Sequence, residues 1–182
     1  RGRLESAELM LNRAFADIAA GQFVSDQQPM DVKNPVRPVA GRNPQGPWMI
    51  TIGAAELLLR LTHQPRYAEM GLRCIGHILH HHVKSREQGP ACCQQWEMWE
   101  FVDDAGLPFF ENGILRSDPG HATEFAGLSL KFLRTCRELG IRVTGEEQMA
   151  DALRGVLRQN FANGFSSSGK GICKAFDLAS RR

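Results

Sequence analysis

The sequence predicts an all-α protein that forms an arc of an α/α barrel, in which an inner row of helices is covered by an outer row. Five segments have helical periodicity. In the two that begin at Pro47 and Pro119 a long apolar run dominates, whereas the other three are apolar on one side only. A helix that is apolar on every side is buried, and one with a single apolar stripe lies at a surface. Because the two kinds alternate along the chain, we expect inner and outer helices to alternate.

Length and composition are those of one ordinary globular domain. The chain has 182 residues, of which 42% are hydrophobic and 23% are charged, and its formal net charge is +2. A chain of this size can bury a substantial core. The near balance of charge does not indicate a nucleic-acid-binding surface. No window of eighteen uncharged apolar residues indicates a membrane span.

The start of the sequence and its cysteines indicate a partial or processed cytoplasmic protein. The chain begins Arg1-Gly2-Arg3, without an initiator methionine and without the start of a signal peptide. Its five cysteines do not form the dense, even set of a disulfide framework, so we expect reduced thiols and a cytoplasmic location. Residues 1–182 are expected to form a single domain that is an incomplete barrel.

The first helix is predicted over residues 3–20, where apolar residues recur at helical spacing: Leu4, Ala7, Leu11, Ala14, Phe15 and Ile18. Gly21 ends it. Residues 22–46 are rich in Pro, Asn, Asp and Gly and have no sustained period, so they are expected to form a long loop.

The second helix is predicted over residues 47–62 and is expected to be buried. Glu56 and Arg60 are its only charged residues, and they stand four positions apart in the order that favours an ion pair. Glu56 is a candidate substrate-binding carboxylate on the inner side of the barrel. The alternative is a structural pair with Arg60, because buried charges need partners.

The third helix is predicted over residues 66–83 and ends in a cluster of histidines. His77 and His81 stand four residues apart and could together bind zinc. No third ligand accompanies them at zinc-motif spacing, and Cys92-Cys93 are adjacent rather than spaced as a CxxC pair. Histidines also suit the C-terminal end of a helix dipole. We therefore predict no metal site.

A β-hairpin is predicted next. Its first strand is predicted over residues 94–101, which carry Trp96, Trp99 and Phe101 in a mixed pattern. Asp103-Asp104-Ala105-Gly106 supplies turn residues, and residues 107–110 form the returning strand. Trp99 is a candidate for stacking against a substrate. Packing of the tryptophans beneath the hairpin is the alternative.

The fourth helix is predicted over residues 119–139, with Asp118 as N-cap and Pro119 at the first helical position. His121 and Glu124 are three apart and therefore lie on one face. The positive end of the helix dipole disfavours an imidazolium there, so His121 is expected to be neutral near pH 7 and able to accept a proton. The alternative is a capping cluster that only binds loop backbone.

The last helix is predicted over residues 146–161 and is amphipathic on Met149, Ala150, Leu153, Val156 and Leu157. Residues 166–171, Ser-Ser-Ser-Gly-Lys-Gly, lack the GxxxxGK[ST] spacing of a phosphate-binding loop and follow no strand. They are expected to form a flexible turn. The sequence thus predicts no cofactor.

Several of these segments together resemble a known family. Pro119-Gly120-His121-x-x-Glu124 at the start of an apolar helix, the segment Trp99-Glu100-Phe101-Val102-Asp103-Asp104 before it, and the stretch from Asn43-Pro44 to Glu56 resemble the N-acylglucosamine 2-epimerase family. That family also contains aldose–ketose isomerases and cellobiose 2-epimerases. The match covers residues 7–165. It implies an (α/α)6 barrel with six helix pairs, of which this chain supplies the middle part.

The resemblance implies an enzyme that moves a proton at the carbon next to a sugar carbonyl. His121 is then one of a pair of catalytic histidines, and Glu124 binds the sugar or sets the protonation of His121. Glu56, Trp99 and Arg116 are the expected substrate-binding residues. The implied partner is a small carbohydrate, without nucleic acid or membrane, and self-association as a homodimer stays open.

Two other functions stay open. No candidate for the second histidine follows His121, and Gly53 and Gly127 stand where the family has a histidine and an aromatic residue. These features favour a catalytically silent scaffold that acts through protein contacts. A glycoside hydrolase or lyase would need two facing carboxylates, for which Glu56 and Glu124 are the candidates.

Overall fold

The computed structural model describes residues 2–22, 39–165 and 171–181. Within them the helices are α1 (Gly2–Ala19), α2 (Gly46–Thr62), α3 (Pro65–His81), α4 (Pro119–Glu138) and α5 (Glu146–Gly164). Each begins and ends within a few residues of a predicted helix, so the all-α class is confirmed. Residues 23–38 of the expected loop and residues 166–170 of the expected turn lie outside the described residues.

The helices pack as two rows. α2 packs against α4, α3 covers α2, and α5 covers α4, while α1 packs against α2. The main core lies between the rows, and its largest fully buried side chains are Ile52, Leu59, Tyr67, Ile75, Ile78, Phe125, Phe132 and Leu153. These contacts place α2 and α4 in an inner row and α3 and α5 in an outer row, as the predicted alternation requires for these four helices.

One face of α2 departs from the prediction of burial on every side. Ile50, Leu57 and Leu61 follow one another along a stripe and are 65%, 55% and 60% exposed. The reason is that α1, α3 and α4 cover the other sides of α2, and nothing among the described residues packs over this stripe. An arc of a barrel leaves such a face open.

The apolar packing of helix α1 lies mainly in its C-terminal half. Leu11 and Phe15 pack against the main core and Ile18 is buried, whereas Leu9 and Met10 are strongly exposed. Gly21 and Gly140, the predicted helix-ending glycines, have positive φ angles of 67° and 71°. Both angles are comfortable for glycine and suit a helix end.

The hairpin is shorter than predicted and has an additional partner. Regular pairing begins at β2 (Phe101–Val102), and Phe109 returns to donate to the Phe101 carbonyl around the expected turn. The preceding residues are irregular; Trp96 has a φ of 73°. A two-residue strand in the expected loop, β1 (Asn43–Pro44), pairs with β2. Two residues have no period, so this strand could not be predicted from the residue pattern.

A second small sheet lies before α4. Strand β3 (Arg116–Ser117) pairs antiparallel with β4 (Phe176–Asp177) near the end of the chain. No helix among the described residues has both the length and the apolar character needed to span a membrane. The five cysteines are all free thiols.

The outer helix α3 lies close to Phe132 of the inner helix α4 at Gly71. A Cβ atom at this position would overlap the ring of Phe132, which is fully buried. Gly71 thus allows α3 and α4 to meet around an aromatic side chain. Gly76, five residues further along α3, has open space where its Cβ would lie.

We expect Gly71→Ala to destabilise the protein by about 1–3 kcal/mol, because the added methyl must displace the packed Phe132 ring. Gly76→Ala is the matched control and is expected to stabilise by about 0.5–1 kcal/mol through helix propensity alone. Urea denaturation of the two variants and the wild type measures both effects. Equal changes in the two variants would contradict the close approach of α3 and α4.

Candidate functional site

The loop before α4 holds His121 at the first turn of the helix. Asp118 is extended and accepts hydrogen bonds at Oδ1 from the backbone N–H groups of Gly120 (2.9 Å) and His121 (3.2 Å). Pro119 occupies the first helical position, where its missing N–H is not needed. The predicted N-cap is therefore confirmed, and it fixes the direction in which the His121 side chain leaves the helix.

His121 is bound to a second, buried carboxylate. Its Nδ1 lies 3.0 Å from Oε2 of Glu100 and 3.5 Å from Oδ2 of Asp118. Because an ionised carboxylate can only accept, we assign the proton of the neutral ring to Nδ1. No described residue forms a hydrogen bond with Nε2. The part-exposed ring is thus oriented by Glu100 and presents its other nitrogen, as a histidine base requires.

Glu100 is the site residue that the sequence reasoning missed. It stands twenty-one residues before His121, immediately before β2, and its backbone is held on both sides of the hairpin. Its N–H donates to the Arg116 carbonyl, and its own carbonyl accepts from the Gln45 N–H. No local spacing could reveal this pairing, because Glu100 and His121 meet only through the tertiary fold.

The helix dipole was expected to disfavour the imidazolium of His121, and the pKa of His121 is shifted in the opposite direction. The hydrogen bond to Glu100 is the largest influence and raises the pKa of His121 above its usual value, and the charges of Asp118 and Glu124 act in the same direction. Burial opposes them and is outweighed. Three carboxylates near one imidazole favour the imidazolium more strongly than the partial charge of a helix end disfavours it.

Glu124 lies on the same helical face as His121 but not in a closed cavity. Its side chain is exposed and accepts no hydrogen bond from any described residue. A carboxylate on an inner helix is expected to be held by a donor, here His121 or Arg116, and to face the same cavity as Glu56; the exposure of Glu124 shows that this expectation is wrong. The physical reason is the open side of the arc, which leaves this turn of α4 in solvent. Glu124 acts on His121 through its charge alone.

Glu56 is buried and fully engaged. It accepts hydrogen bonds from Arg60 on its own helix, and from Lys131 Nζ (3.0 Å) and Thr135 Oγ1 (2.8 Å) on α4. Burial alone would raise its pKa, but these donors outweigh burial and lower it. The structural pair with Arg60 is thus present, and Glu56 joins the two inner helices. Glu56 is therefore not a free carboxylate of the kind that a glycoside hydrolase needs.

Trp99 and Arg116 differ in exposure. Trp99 is 2% exposed, packs in a small core under the hairpin, and donates from Nε1 to the His81 carbonyl (2.9 Å). Trp99 therefore packs beneath the hairpin, which is the alternative to stacking against a substrate. Arg116 is exposed and lines a cavity of about 280 Å³ whose other described residues are Phe101, Phe109, Glu111, Asn112 and Ile114. Its backbone, rather than its side chain, contacts Glu100.

Over the described part of the chain, no three His, Cys, Asp or Glu side chains are grouped so that they could hold a metal ion. His77 and His81, the pair considered from the sequence, have ring centroids 4.6 Å apart. His77 stacks on Trp48 instead, at 3.8 Å and 14°.

Comparison with known proteins supports the fold. No protein-family model and no curated protein matches the chain. Among solved structures, the chain is similar to one described as the crystal structure of D-mannose isomerase, with 16% sequence identity and a TM-score of 0.52. The similarity covers 78% of this chain and 35% of that protein, so the chain spans about a third of its length. At this identity the likeness concerns the fold: an arc of a helical toroid.

We expect Glu100→Gln to lower the pKa of His121. The amide keeps the shape and can still accept from Nδ1, but the negative charge that favours the imidazolium is removed. Titration of the His121 ring signals by NMR measures the pKa in the variant and the wild type. Glu147→Gln, an exposed change on α5, is the control. An unchanged His121 pKa in Glu100→Gln would contradict the assigned pair.

We expect Glu56→Gln to destabilise the protein by about 1–3 kcal/mol at neutral pH, because charged donors lose their carboxylate. The folded-state pKa of Glu56 is below the ordinary value of 4.5. Its contribution is therefore present above that value and is lost as the pH falls through the folded pKa. Denaturation from pH 7 down to about pH 2 should show the variant and the wild type converging. A difference that stays constant with pH would contradict this role.

Proposed function

We propose that the protein is a sugar isomerase or epimerase that transfers a proton at the carbon next to the sugar carbonyl, with His121 as the acid–base group. The observation that carries the proposal is the hydrogen bond between His121 Nδ1 and the buried Glu100 carboxylate, with Nε2 left without a described partner. The fold similarity to D-mannose isomerase and the Pro119-Gly120-His121-x-x-Glu124 motif support it.

The chemistry follows from the tautomer. With the proton on Nδ1, Nε2 of the neutral ring can remove the proton from C2 of an open-chain aldose, and the electrons of the C–H bond form an enediolate. Glu100 stabilises the imidazolium that results. If Nε2 returns the proton to C1 on the same face, while the C2 hydroxyl proton moves to O1, the product is a ketose. His121 can complete that transfer alone, whereas epimerisation needs an acid on the opposite face.

The surrounding groups have separate roles in this proposal. Asp118 fixes the start of α4 and thereby the position of the ring. Glu124, exposed one turn along the same face, is free to accept hydrogen bonds from sugar hydroxyls. Because the pKa of His121 is raised, the basic form gains population as the pH rises, and the rate of proton removal should rise through that pKa.

A silent scaffold is the second candidate, and one observation favours it. The apolar stripe of Ile50, Leu57 and Leu61 is exposed, and large exposed apolar surface is typical of a contact with other protein. Gly127 adds to this. It stands where the resembled family has an aromatic residue, and nothing lies within 4 Å of where its side chain would begin. The exchange experiment below separates the two functions.

We expect the full-length protein to exchange the C2 proton of D-mannose, or of another aldose in a panel of hexoses, with solvent in D₂O. His121→Asn should slow the exchange by about 10²–10⁴-fold, because asparagine cannot take up the proton. Proton NMR of the sugar follows the reaction. His63→Asn is the matched control, because His63 is exposed and has a φ of 56°, which suits asparagine.

Two outcomes would contradict the proposal. Exchange at the wild-type rate in His121→Asn would exclude His121 as the base. A wild-type protein that exchanges no aldose in the panel would favour the scaffold. The melting temperature of each variant shows whether a loss of exchange reflects unfolding.

A further inference from the structure

One cavity lies away from His121. It has a volume of about 490 Å³ and lies between the end of α1, the start of α2, the end of α3 and the turn of the hairpin. That volume is in the range of about 300–1,000 Å³ typical of small-molecule sites. Its apolar walls include Ile18, Pro44, Pro47 and Val102, and its polar walls include Asn43, His77, His81, His82, Asp103 and Asp104. Neither His121 nor Glu100 lines it.

His82 contributes an unpartnered acceptor to this wall. The residue is 0% exposed, and its Nδ1 lies 3.1 Å from the Trp99 carbonyl oxygen. Because a carbonyl only accepts, we assign the ring proton to Nδ1, so Nε2 carries a lone pair. Burial lowers the pKa of His82 to about 3, which keeps the ring neutral. Among the described residues Nε2 has no hydrogen-bond partner, and a buried acceptor in that state is costly unless a donor reaches it.

The charged groups of the cavity are all negative. Asp103 and Asp104 line it at the hairpin turn, and no Lys or Arg is among its described lining residues. Each carboxylate is partly engaged: Asp103 Oδ1 accepts from the backbone N–H groups of Ala105 and Leu107, and Asp104 Oδ1 from Asn43. Burial lowers the pKa of His77 to about 4, so this imidazole adds no positive charge at neutral pH. A cleft lined by charges of one sign concentrates counter-ions.

We propose that this cavity binds a small organic molecule that carries a protonated amine on an apolar body. An ammonium group has three donors and no acceptor. It therefore matches a wall that offers two carboxylates and the lone pair of His82 Nε2, while the apolar residues of α1, β1 and α2 surround the rest of the molecule. The proposal does not depend on catalysis at His121, because the two sites share none of the residues that define them.

A neutral ligand of the same shape isolates the contribution of the charge. Cyclohexylammonium and cyclohexanol have the same ring and differ in the group that donates. We expect the amine to bind the wild-type protein about tenfold or more tightly than the alcohol, and its affinity to fall as salt is added. NMR titration with each compound gives both dissociation constants, and the indole N–H signal of Trp48, which lines the cavity, reports the location.

Two variants test the residues. His82→Asn keeps a donor for the Trp99 carbonyl and removes the Nε2 acceptor, and Asp104→Asn keeps the shape and removes one charge. Each is expected to weaken amine binding at least about fivefold, since a single hydrogen bond to a charged group contributes on this scale. His63→Asn, outside the cavity, should bind as the wild type does. The cyclohexanol affinity of Asp104→Asn should stay the same.

The proposal is overturned if the amine and the alcohol bind equally, if neither shifts the Trp48 signal, or if Asp104→Asn binds the amine as tightly as the wild type. Any of these results would mean that water, rather than an ammonium ligand, satisfies His82 Nε2. If His82→Asn fails to fold, Asp104→Asn alone decides the question. Sugar exchange at His121 should be unaffected by Asp104→Asn in every case.

Discussion

The buried carboxylate of Glu56 is the interaction on which the arrangement of the inner helices depends. It lies on α2 and accepts hydrogen bonds from Lys131 and Thr135 of α4. A carboxylate at that depth is tolerated only where donors satisfy it. The apolar surfaces of the two helices could pack in several registers, but few of them would bring these donors to Glu56. The pairing thus helps to fix where α4 begins relative to the hairpin.

From that register follows the geometry at His121. The start of α4 lies beside the hairpin, whose residue Glu100 is held by backbone hydrogen bonds to Gln45 and Arg116. Three segments of the chain, before α2, before β2 and before α4, therefore meet at Glu100, whose carboxylate binds the imidazole. A hydrogen bond of 3.0 Å between Glu100 and His121 then sets both the tautomer and the direction of the pKa shift. A capping role alone would not need a second buried carboxylate.

The same end of the arc carries a second, separate environment. The hairpin turn reaches the end of the outer helix α3, where His77 is half-buried, His82 is buried, and both are neutral at neutral pH. The pKa values of the histidines on either side of the hairpin are thus shifted in opposite directions. At His121 nearby carboxylates outweigh burial, and at His82 burial has no such opposition. The residue type is the same but the helix ends are opposite: His121 is on the first turn of α4 and His82 is the C-cap of α3. The helix dipole alone would disfavour an imidazolium at the first and favour it at the second, so the observed directions arise from the neighbours that folding supplies.

The sequence by itself determined the five helices, their inner and outer alternation, the N-cap at Asp118 and the turn at Asp103–Gly106. These features depend on residues within one or two helical turns, where periodicity, capping and turn preferences act. Only the tertiary structure decided the partner of His121, the exposure of Glu124, the burial of Trp99 and the pairing of β1 with β2. Each depends on residues distant in the chain, and a local pattern contains no information on which distant group approaches. The helix-dipole argument for His121 was wrong for that reason, because an unseen carboxylate outweighed it.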